Sequence, residues 1–406
     1  MPRFATAWMV LVLSSLAAAC GGGDGEDPAD DDNGDSTSGQ PPECSTDADC
    51  ADRPDSPICD LAAQVCHRPL GWQIGQRDGS PGSVAFVAVW EADKNRVATD
   101  LQFNPSKPTE LWVVNRLDDS AIIIQNPGTP EMTWERRRDP AADHFMKNPP
   151  AISFGVVTPD WGQSFAVCGD DDVGGGSAQD FIGPALFSAD LSVFAEPTPN
   201  GLGSHLDMLH STSFCRGIEH VSENIYFAFN AQKGAIDRYD FKVDHGPGND
   251  DHSDGEILRY VEGAVLGTEG VPSHLAFDPA DGQLYIADSG HARIAKLDTN
   301  TGTMGSKFSG LESLPVRNTI EGAVIVDLVP PGTLQVPSGL ELHEDVLFVS
   351  DIANSRFYAF DKTGALLRTL DTGFAPGSLV GFTFGPDGKV YFVDHISSWV
   401  FRIDPL

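Results

Sequence analysis

Basic side chains are scarce in this sequence. Its 406 residues include 26 lysines and arginines against 59 aspartates and glutamates, so the formal net charge is -33. Nucleic acids and anionic membrane surfaces attract basic proteins, and this balance therefore argues against either as a partner. An excess of carboxylates favours solubility and the attraction of cations or of a cationic ligand.

The motifs of two large enzyme classes are also missing. The sequence contains no Gly-x-Ser-x-Gly elbow, which would indicate a serine hydrolase, and no Walker loop, which would hold nucleotide phosphates. We therefore expect no nucleotide cofactor. Turn-forming residues, in contrast, are plentiful, and 42 glycines with 29 prolines fit a turn-rich all-β protein.

The apolar run at residues 4–16 is too short to span a bilayer as a helix. Arg3 precedes it, and the small residues 17–19 separate it from Cys20, which is the layout of an export signal. The end of this segment resembles the bacterial lipoprotein signal, although Ala17 stands where that pattern usually has leucine. The resemblance implies that Cys20 is lipidated, and the alternative is an ordinary secretory signal that ends near a cysteine.

Residues 21–43 have almost no apolar side chains and no basic ones. Such a segment cannot form a core and is predicted to be an extended, acidic, disordered tether. Together with the signal peptide at residues 1–20, it predicts a lipoprotein of the cell envelope. A lipid would hold the chain in the bilayer, at the outer membrane or cell surface, and the tether would lead to a folded body.

Six further cysteines are expected to form disulfides. Cys44, Cys50, Cys59 and Cys66 lie close together, which predicts a small module with two bridges over residues 44–70 and leaves three pairings open. A zinc site is the alternative, but no pair has the Cys-x-x-Cys spacing that such sites favour. Cys168 and Cys215 are expected to pair with each other because thiols of exported proteins are usually oxidised.

The remainder, residues 71–406, is built from a repeat of short strands. Segments 271–298, 336–361 and 380–404 each read as an apolar strand, a polar turn, a second strand, another turn and a third strand. The polar residue that ends the second strand lies ten positions before the one that ends the third, in the pairs Asp288/Asp298, Asp351/Asp361, Asp394/Asp404, Asn230/Asp240 and Asn115/Gln125. Arrays of this kind are typical of β-propellers, because a small sheet cannot bury both faces without a neighbour.

The spacing predicts an all-β fold with six blades, over about 97–140, 149–197, 214–262, 271–328, 336–371 and 379–406. Strand 83–90 has no partner upstream, and the last repeat lacks a fourth strand. We therefore expect the N-terminal strand to complete the last blade, which closes the ring and removes an exposed edge.

Two repeats resemble those of the NHL family of propellers, whose entry strand reads P-x-G-L/I-A-x-D and is followed by D-x-x-N-x-R. The matching residues are Pro272, Leu275, Asp278, Asp288, His291 and Arg293 in one repeat, and Pro337, Gly339, Leu340, Asp351, Asn354 and Arg356 in the other. The resemblance implies a six-bladed wheel with a central channel, which hosts enzymes and binding proteins alike. It extends to the NHL-class amidating lyase that cleaves peptidyl-hydroxyglycine, in which channel histidines hold zinc; His274 falls near a corresponding entrance position.

Propeller topology sorts loop residues between two faces. Blade-to-blade links share one face with the turns between second and third strands, and His144, His205, Asp207 and His210 are expected on these links. Imidazoles and carboxylates that converge from separate loops are what a catalytic divalent metal requires. We therefore predict a transition-metal site at the channel mouth, with zinc the leading metal, His144, His205, His210 and His274 as ligands, and Asp100 and Asp207 as catalytic carboxylates.

A second cation site is predicted on the opposite face. The turn at residues 244–256 is dense in oxygen ligands between glycines, which suits calcium although the spacing departs from the EF-hand. Its candidate ligands are Asp244, Asn249, Asp250, Asp251 and Asp254. If blade three has a different register, this loop joins the main site instead.

Two functions remain open from the sequence. The first is a metal-dependent lyase or hydrolase of the cell envelope that acts on a small molecule or peptide. The second is a non-catalytic propeller that displays a surface to a peptide, glycan or partner protein. In either case we expect a monomer.

Overall fold

The computed structural model describes residues 43–53, 56, 58–62, 64–75, 78–92, 97–176 and 179–406. The predicted signal peptide, the lipidation at Cys20 and most of the tether lie outside these residues. In the part of the chain that is described, no helix has the length and apolar character needed to cross a membrane.

Strands dominate the described chain. Within the described ranges, helical turns are confined to Asp47–Cys50, Trp72–Ile74, Pro81–Ser83, the α-helical turn α1 (Ala142–Phe145) and Ser289–His291. The first half holds strands β1 (Ile58–Asp60), β2 (Val65–His67), β3 (Val84–Trp90), β4 (Ala98–Phe103), β5 (Glu110–Asn115), β6 (Ser120–Gln125), β7 (Thr133–Arg137), β8 (Ile152–Thr158), β9 (Gly162–Val167), β10 (Ala185–Ser188), β11 (Asp207–Met208), β12 (Cys215–Ser222), β13 (Ile225–Asn230), β14 (Ala235–Asp240) and β15 (Glu256–Tyr260). The second half holds β16 (Leu275–Asp278), β17 (Gln283–Asp288), β18 (Arg293–Asp298), β19 (Thr303–Lys307), β20 (Val316–Glu321), β21 (Val324–Val329), β22 (Pro337–His343), β23 (Val346–Asp351), β24 (Arg356–Asp361), β25 (Leu366–Asp371), β26 (Leu379–Phe384), β27 (Val390–Asp394) and β28 (Trp399–Pro405).

These strands form a six-bladed β-propeller, as predicted. Blade one is β4 to β7, blade two β8 to β11, blade three β12 to β15, and blade five β22 to β25. Blade four is β16, β17, β18 and β21, and blade six is β26, β27, β28 and β3. The first strand of each blade contacts the first strand of the next all the way round, from β4 through β8, β12, β16 and β22 to β26 and back to β4. These inner strands therefore surround the central channel.

The ring closes through the N-terminal strand, which confirms the sequence-based expectation. Strand β3 pairs antiparallel with β28, from Val84 opposite Pro405 to Trp90 opposite Val400. This pairing gives blade six its fourth strand and leaves β28 without a free edge.

The core lies between the blades. Every residue of β5 and of β23 is buried, because both faces of these middle strands pack against a neighbouring blade. Trp112 of blade one shows the packing, with ring centroids 5.9 Å from Phe154 and 4.9 Å from Phe165 of blade two. The burial of such aromatic pairs is a large share of what holds adjacent blades together.

Two strand assignments differ from the sequence-based ones. The outer strand of blade two is β11, so the segment at 207–208 belongs to a blade rather than to a link. Residues 303–321 do not belong to blade four: β19 and β20 form a hairpin, and β20 pairs in parallel with β15, with Val316 opposite Glu256. Strand spacing alone cannot show which sheet a hairpin joins, and here the hairpin covers an edge that blade three would otherwise expose.

Three disulfides are formed, and they resolve the open pairings. Cys44 bonds Cys59 and Cys50 bonds Cys66 in the N-terminal module. Cys168 of blade two bonds Cys215 of blade three, as expected. Because all four thiols of the module are consumed in bridges, the zinc alternative for this segment is removed.

Candidate metal centre

The predicted residues fall into two groups, one in the channel and one at the edge of blade two. In the channel, Asp100 lies on inner strand β4, and His274 lies just before inner strand β16. The His274 Nδ1 atom is 3.8 Å from Asp100 Oδ1. Asp207 belongs to β11, the outermost strand of its blade, and His205 and His210 lie two residues from that strand. His144 is beside His210, with ring centroids 5.5 Å apart. His274 and Asp100 therefore do not share a centre with the other residues, and the main cluster is not at the channel mouth.

The channel group contains two carboxylates that the sequence did not single out, Glu219 on β12 and Glu341 on β22. Burial raises the pKa of Asp100 to about 6, although the charge of His274 works against it. Burial raises the pKa of Glu219 to about 8, and the charge of Asp100 adds to this. Burial and these two like charges also raise the pKa of Glu341. The channel thus concentrates carboxylates that resist ionisation.

Three histidines meet at the edge of blade two. One ring nitrogen from each of His205, His245 and His252 lies within 4.8 Å of the others. The ring centroids of His205 and His252 are 5.1 Å from that of His245 and 6.3 Å from each other. Asp207 adjoins this group, because its Oδ1 is 3.0 Å from His252 Nδ1 and 3.9 Å from His245 Nε2. We call His205, His245, His252 and Asp207 the edge cluster.

A buried carboxylate on the link before blade two positions His205. Asp139 Oδ2 accepts hydrogen bonds from the Ser204 backbone N–H at 2.7 Å and from the Ser204 hydroxyl at 2.6 Å. Gly203 permits this approach: its φ is +68°, and a Cβ there would lie 1.9 Å from Asp139 Oδ1. The Phe145 ring then stacks on His205 with centroids 3.7 Å apart. The imidazole is held before any ligand arrives.

The loop between β14 and β15 supplies the other two imidazoles. It lies along the segment before β11, where His245 N–H donates to the Leu206 carbonyl at 3.1 Å and Gly248 N–H donates to the His205 carbonyl at 2.9 Å. Gly248 has a φ of +68°, and a Cβ there would lie 2.2 Å from Thr198 Oγ1. The glycines of this loop therefore serve a close backbone approach that delivers His245 and His252 to the edge cluster.

The predicted calcium ligands on this loop do not converge. Asn249, Asp250, Asp251 and Asp254 are exposed and Asp244 is half-buried. Asp251 accepts from Ser253 of its own turn, and Asn249 donates to a backbone carbonyl. Of the groups of three or more potential ligand side chains in the described residues, none includes these five. The loop joins the main cluster even though blade three keeps the strands that were predicted for it, because β11 places Asp207 in blade two and the segment before β11 lies along this loop.

Hydrogen bonds to backbone carbonyls leave one ring nitrogen free on His205 and one on His245. The Nδ1–H of His205 donates to the Leu202 carbonyl and that of His245 donates to the Gly246 carbonyl, each at 2.8 Å. Their Nε2 atoms are buried and have no hydrogen-bond partner. An imidazole whose Nδ1–H is held by a carbonyl presents a lone pair on Nε2, which is the state that binds metals.

Burial sets the protonation of the edge cluster. It lowers the pKa of His205 to about 3, with further lowering by the charge of His245, and it also lowers the pKa of His245. For His252, burial works in the same direction, but the hydrogen bond and charge of Asp207 outweigh it and raise the pKa. Burial raises the pKa of Asp207 to about 7 against the pull of His252. His205 and His245 are therefore neutral at pH 7.

His144 and His210 border the edge cluster without joining the group of three. The Phe181 ring stacks between them, with centroids 4.3 Å from His144 and 4.7 Å from His210. His210 lies 6.5 Å from His252, centroid to centroid. Buried nitrogens of both, His144 Nδ1 and His210 Nε2, have no partner. They lie close enough to contact a molecule bound at the edge cluster, but they are not part of the group formed by His205, His245 and His252.

Glu312 fixes the orientation of His210 and was not predicted. It accepts a hydrogen bond from His210 N–H at 2.7 Å and another from His210 Nδ1, and its other oxygen pairs with Arg317. Burial works to raise the pKa of Glu312, but the bonds from His210 outweigh it and lower the pKa to about 2. Glu312 reaches this place because the β19–β20 hairpin joins blade three. The sequence carries no local signal for that, whereas His245 and His252 could be found as two imidazoles on one glycine-rich turn.

Comparison with known proteins supports the fold. No protein-family model and no curated protein matches the sequence. An auxiliary nutrient binding protein from Bacteroides thetaiotaomicron is similar with a TM-score of 0.50 over 78% of this chain and 75% of that one, at 12% identity. A streptogramin B lyase has a TM-score of 0.45 over 79% and 97%, at 10% identity, and a gluconolactonase from Xanthomonas campestris has 0.43 over 81% and 93%, at 13% identity. At 12% identity, the likeness to the nutrient binding protein shows the fold alone.

Proposed function

We propose that this protein is a cell-envelope propeller that binds a divalent transition metal in the edge cluster, and that the metal supports a lyase or hydrolase reaction. The main observation in favour of this proposal is that His205, His245 and His252 converge from two separate segments. Two of these rings have Nδ1 held by backbone carbonyls and Nε2 buried without a partner. A buried nitrogen lone pair without a donor costs free energy, and a metal ion in reach of all three rings removes that cost.

The donor set favours zinc. Imidazole nitrogens suit zinc, copper, iron and nickel, and zinc sites commonly use three or four such ligands in a tetrahedron. Asp207 either supplies a fourth ligand or holds His252 in place, since a carboxylate that accepts from a ligating imidazole is the usual second partner of a metal-bound histidine. Calcium prefers oxygen ligands and fits this cluster poorly.

The chain's own residues also offer groups for proton transfer. When bound, a divalent metal would supply Lewis acidity toward a substrate oxygen or a water molecule. If Asp207 does not bind the metal itself, its carboxylate can hold or move a proton beside the cluster, because its Oδ1 lies 3.0 Å from His252 Nδ1. His144 and His210 present free nitrogens beside the cluster for contact with a substrate. Asp100, which was expected to act with this centre, lies in the channel and has no role in this proposal.

We also propose that the wheel is carried at the cell envelope. This rests on the sequence alone, through the export signal, Cys20 and the acidic tether. The disulfides at Cys44–Cys59, Cys50–Cys66 and Cys168–Cys215 agree with an oxidising compartment, where such bonds persist. A monomer that takes a small-molecule or peptide ligand is the simplest form of this proposal.

A non-catalytic role is the second candidate, and burial of the cluster favours it. The side chains of His245, His252 and Asp207 are 4%, 16% and 1% exposed, and His205 is 1% exposed. A closed site with four protein ligands is typical of structural metals, whereas catalytic sites keep one position open. In that case the metal would fasten the 244–255 loop to blade two, and the wheel would serve as a binding surface.

Metal content tests the proposal before any substrate is known. The full chain, purified in detergent without chelators, is expected to retain about one transition-metal ion, and His205→Ala and His252→Ala are expected to lose it. His343→Ala is the matched control, because His343 is a half-buried imidazole stacked on Phe384 in another part of the wheel. Equal metal content in all four proteins would refute the edge cluster as the site.

Cobalt substitution then separates the two roles. Cobalt(II) in place of the native metal has visible absorption bands that report its coordination. Added azide will change the spectrum if a coordination position is open to solvent, as the enzymatic role requires. A tetrahedral spectrum that azide does not alter would favour the structural role.

A further inference from the structure

A cavity of about 410 Å³ opens on the face of the wheel that carries the blade-to-blade links. It is distinct from the edge cluster and receives residues from three blades and from the link to a fourth. Arg116 follows β5, Asp170 follows β9, Arg216 lies at the start of β12, and Glu269 lies on the link to blade four. The volume is in the range that holds a small organic ligand.

Two guanidinium groups share one carboxylate in this cavity. Arg116 Nη2 and Arg216 Nη1 each lie 2.5 Å from the same oxygen, Asp170 Oδ2. These three side chains together carry one net positive charge, in a chain whose net charge is -33. Glu269, the other carboxylate of the lining, is exposed to solvent, which weakens its effect on the interior.

The same groups have unused hydrogen-bonding atoms. Arg116 Nη1, Arg216 Nε and Asp170 Oδ1 are buried and have no partner. Arg216 is only 5% exposed, so a donor on this side chain that finds no acceptor is costly. An acceptor placed in the cavity by a ligand would satisfy the two arginine donors.

An apolar wall completes the cavity. Phe214 is 37% exposed, so a large aromatic ring faces solvent at the cavity. Its backbone has a φ of +52°, a conformation that bulky residues seldom adopt and that the fold holds through Phe214 N–H, which donates to the Asp171 carbonyl at 2.9 Å. Phe214 and Ala231 therefore offer a surface for an aromatic or aliphatic group.

We propose that this cavity is a recognition site for a small organic monocarboxylate, whose carboxylate contacts Arg116 and Arg216 and whose apolar body lies against Phe214. One excess positive charge is matched by one carboxylate, and its two oxygens can accept from two donors. A phosphate dianion would exceed that charge and would be repelled by Asp170, which lies between the two arginines. The site goes beyond the metal-dependent function and does not depend on it.

Ligand-observed NMR with benzoate as the probe tests this inference. We expect saturable binding of benzoate to the full chain at millimolar concentration, and no binding of the neutral isostere benzamide. Arg116→Gln is expected to weaken benzoate binding by about tenfold or more, because a hydrogen bond from a charged donor contributes about that factor. Ala231→Leu, which fills the cavity without changing charge, is expected to weaken it as well.

Each arm has an outcome that overturns the proposal. A carboxylate site in this cavity is excluded if benzoate does not bind the unmodified chain. It is also excluded if benzoate binds Arg116→Gln and Ala231→Leu as well as it binds the unmodified chain. Tighter binding of inorganic phosphate than of benzoate, measured by competition, would assign the cavity to a different ligand class. Because Ala231 is outside the ion pairs, the test remains decisive even if Arg116→Gln does not fold.

Discussion

The channel carboxylates lead to the most quantitative prediction, which concerns replacement of Glu219 by glutamine. Glu219 lies on inner strand β12, where its Oε1 accepts a hydrogen bond from Phe277 N–H at 3.2 Å. Glutamine keeps the shape and an oxygen that can accept the same bond, but it cannot ionise. The change therefore isolates the free-energy cost of holding a negative charge in this part of the channel.

The size of the effect follows from the pKa. A carboxyl group with a pKa of about 8 in the folded chain and an ordinary value of 4.5 costs about 3 kcal/mol of unfolding free energy at pH 7, at about 1.4 kcal/mol per pKa unit. Below about pH 4.5 the group is protonated in both states, so the cost vanishes; it grows as the pH rises toward 8. Glu219 keeps some contact with channel solvent, which makes this figure an upper value.

Urea unfolding at several pH values measures the effect, with a chelator present so that no cation neutralises the channel. We expect Glu219→Gln to be more stable than the unmodified chain at pH 7 and above, and equally stable near pH 4. Glu321→Gln is the matched control, because Glu321 is an exposed glutamate on strand β20. It should change stability by less than about 0.5 kcal/mol at every pH.

A Glu219→Gln protein that is no more stable than the unmodified chain at pH 8 would contradict this reasoning. If Glu219→Gln is less stable than the unmodified chain only when the chelator is left out, a cation occupies the channel and interacts with the Glu219 charge. A pH-independent difference would show that packing, rather than ionisation, governs this position.

Two further changes test the architecture. Asp237→Ala is expected to cost about 3–5 kcal/mol of unfolding free energy, because it leaves Arg259 buried without its carboxylate partner. That carboxylate accepts hydrogen bonds from Arg259 Nε at 2.7 Å and from Nη2 at 2.9 Å. A cost near zero would show that water reaches Arg259. Deletion of residues up to 90 removes β3 and exposes the edge of β28, so we expect aggregation by size-exclusion chromatography, and a stable monomeric product would contradict closure by this strand.

The wheel itself was predictable because its signals are local. A short strand, a polar turn and the next strand recur at a constant spacing, and each unit reads without knowledge of the others. Closure of the ring by segment 83–90 could also be predicted, since this strand had no partner in the sequence and the last blade lacked a fourth strand. The assignment of residues 303–321 failed for the opposite reason. A hairpin can join either of two neighbouring sheets, and the choice depends on which edge is free.

The candidate site was only partly predictable. His144, His205 and His210 could be selected because imidazoles on loops are chemically conspicuous, and the structure brings them to one side of blade two. His245 and His252 were assigned to the other face. The strand that decides the matter, β11, has two residues, Asp207 and Met208, which is too short for any periodicity to reveal.

The sequence by itself thus determined that the chain forms blades, how many there are and how the ring closes, since these depend on contacts within and between consecutive repeats. Only the tertiary structure decided which side chains share a site. Hydrogen bonds from His245 and Gly248 to the Leu206 and His205 carbonyls carry the 244–255 loop onto the segment before β11. That placement depends on backbone groups whose partners are far along the chain, and no local pattern of side chains encodes it.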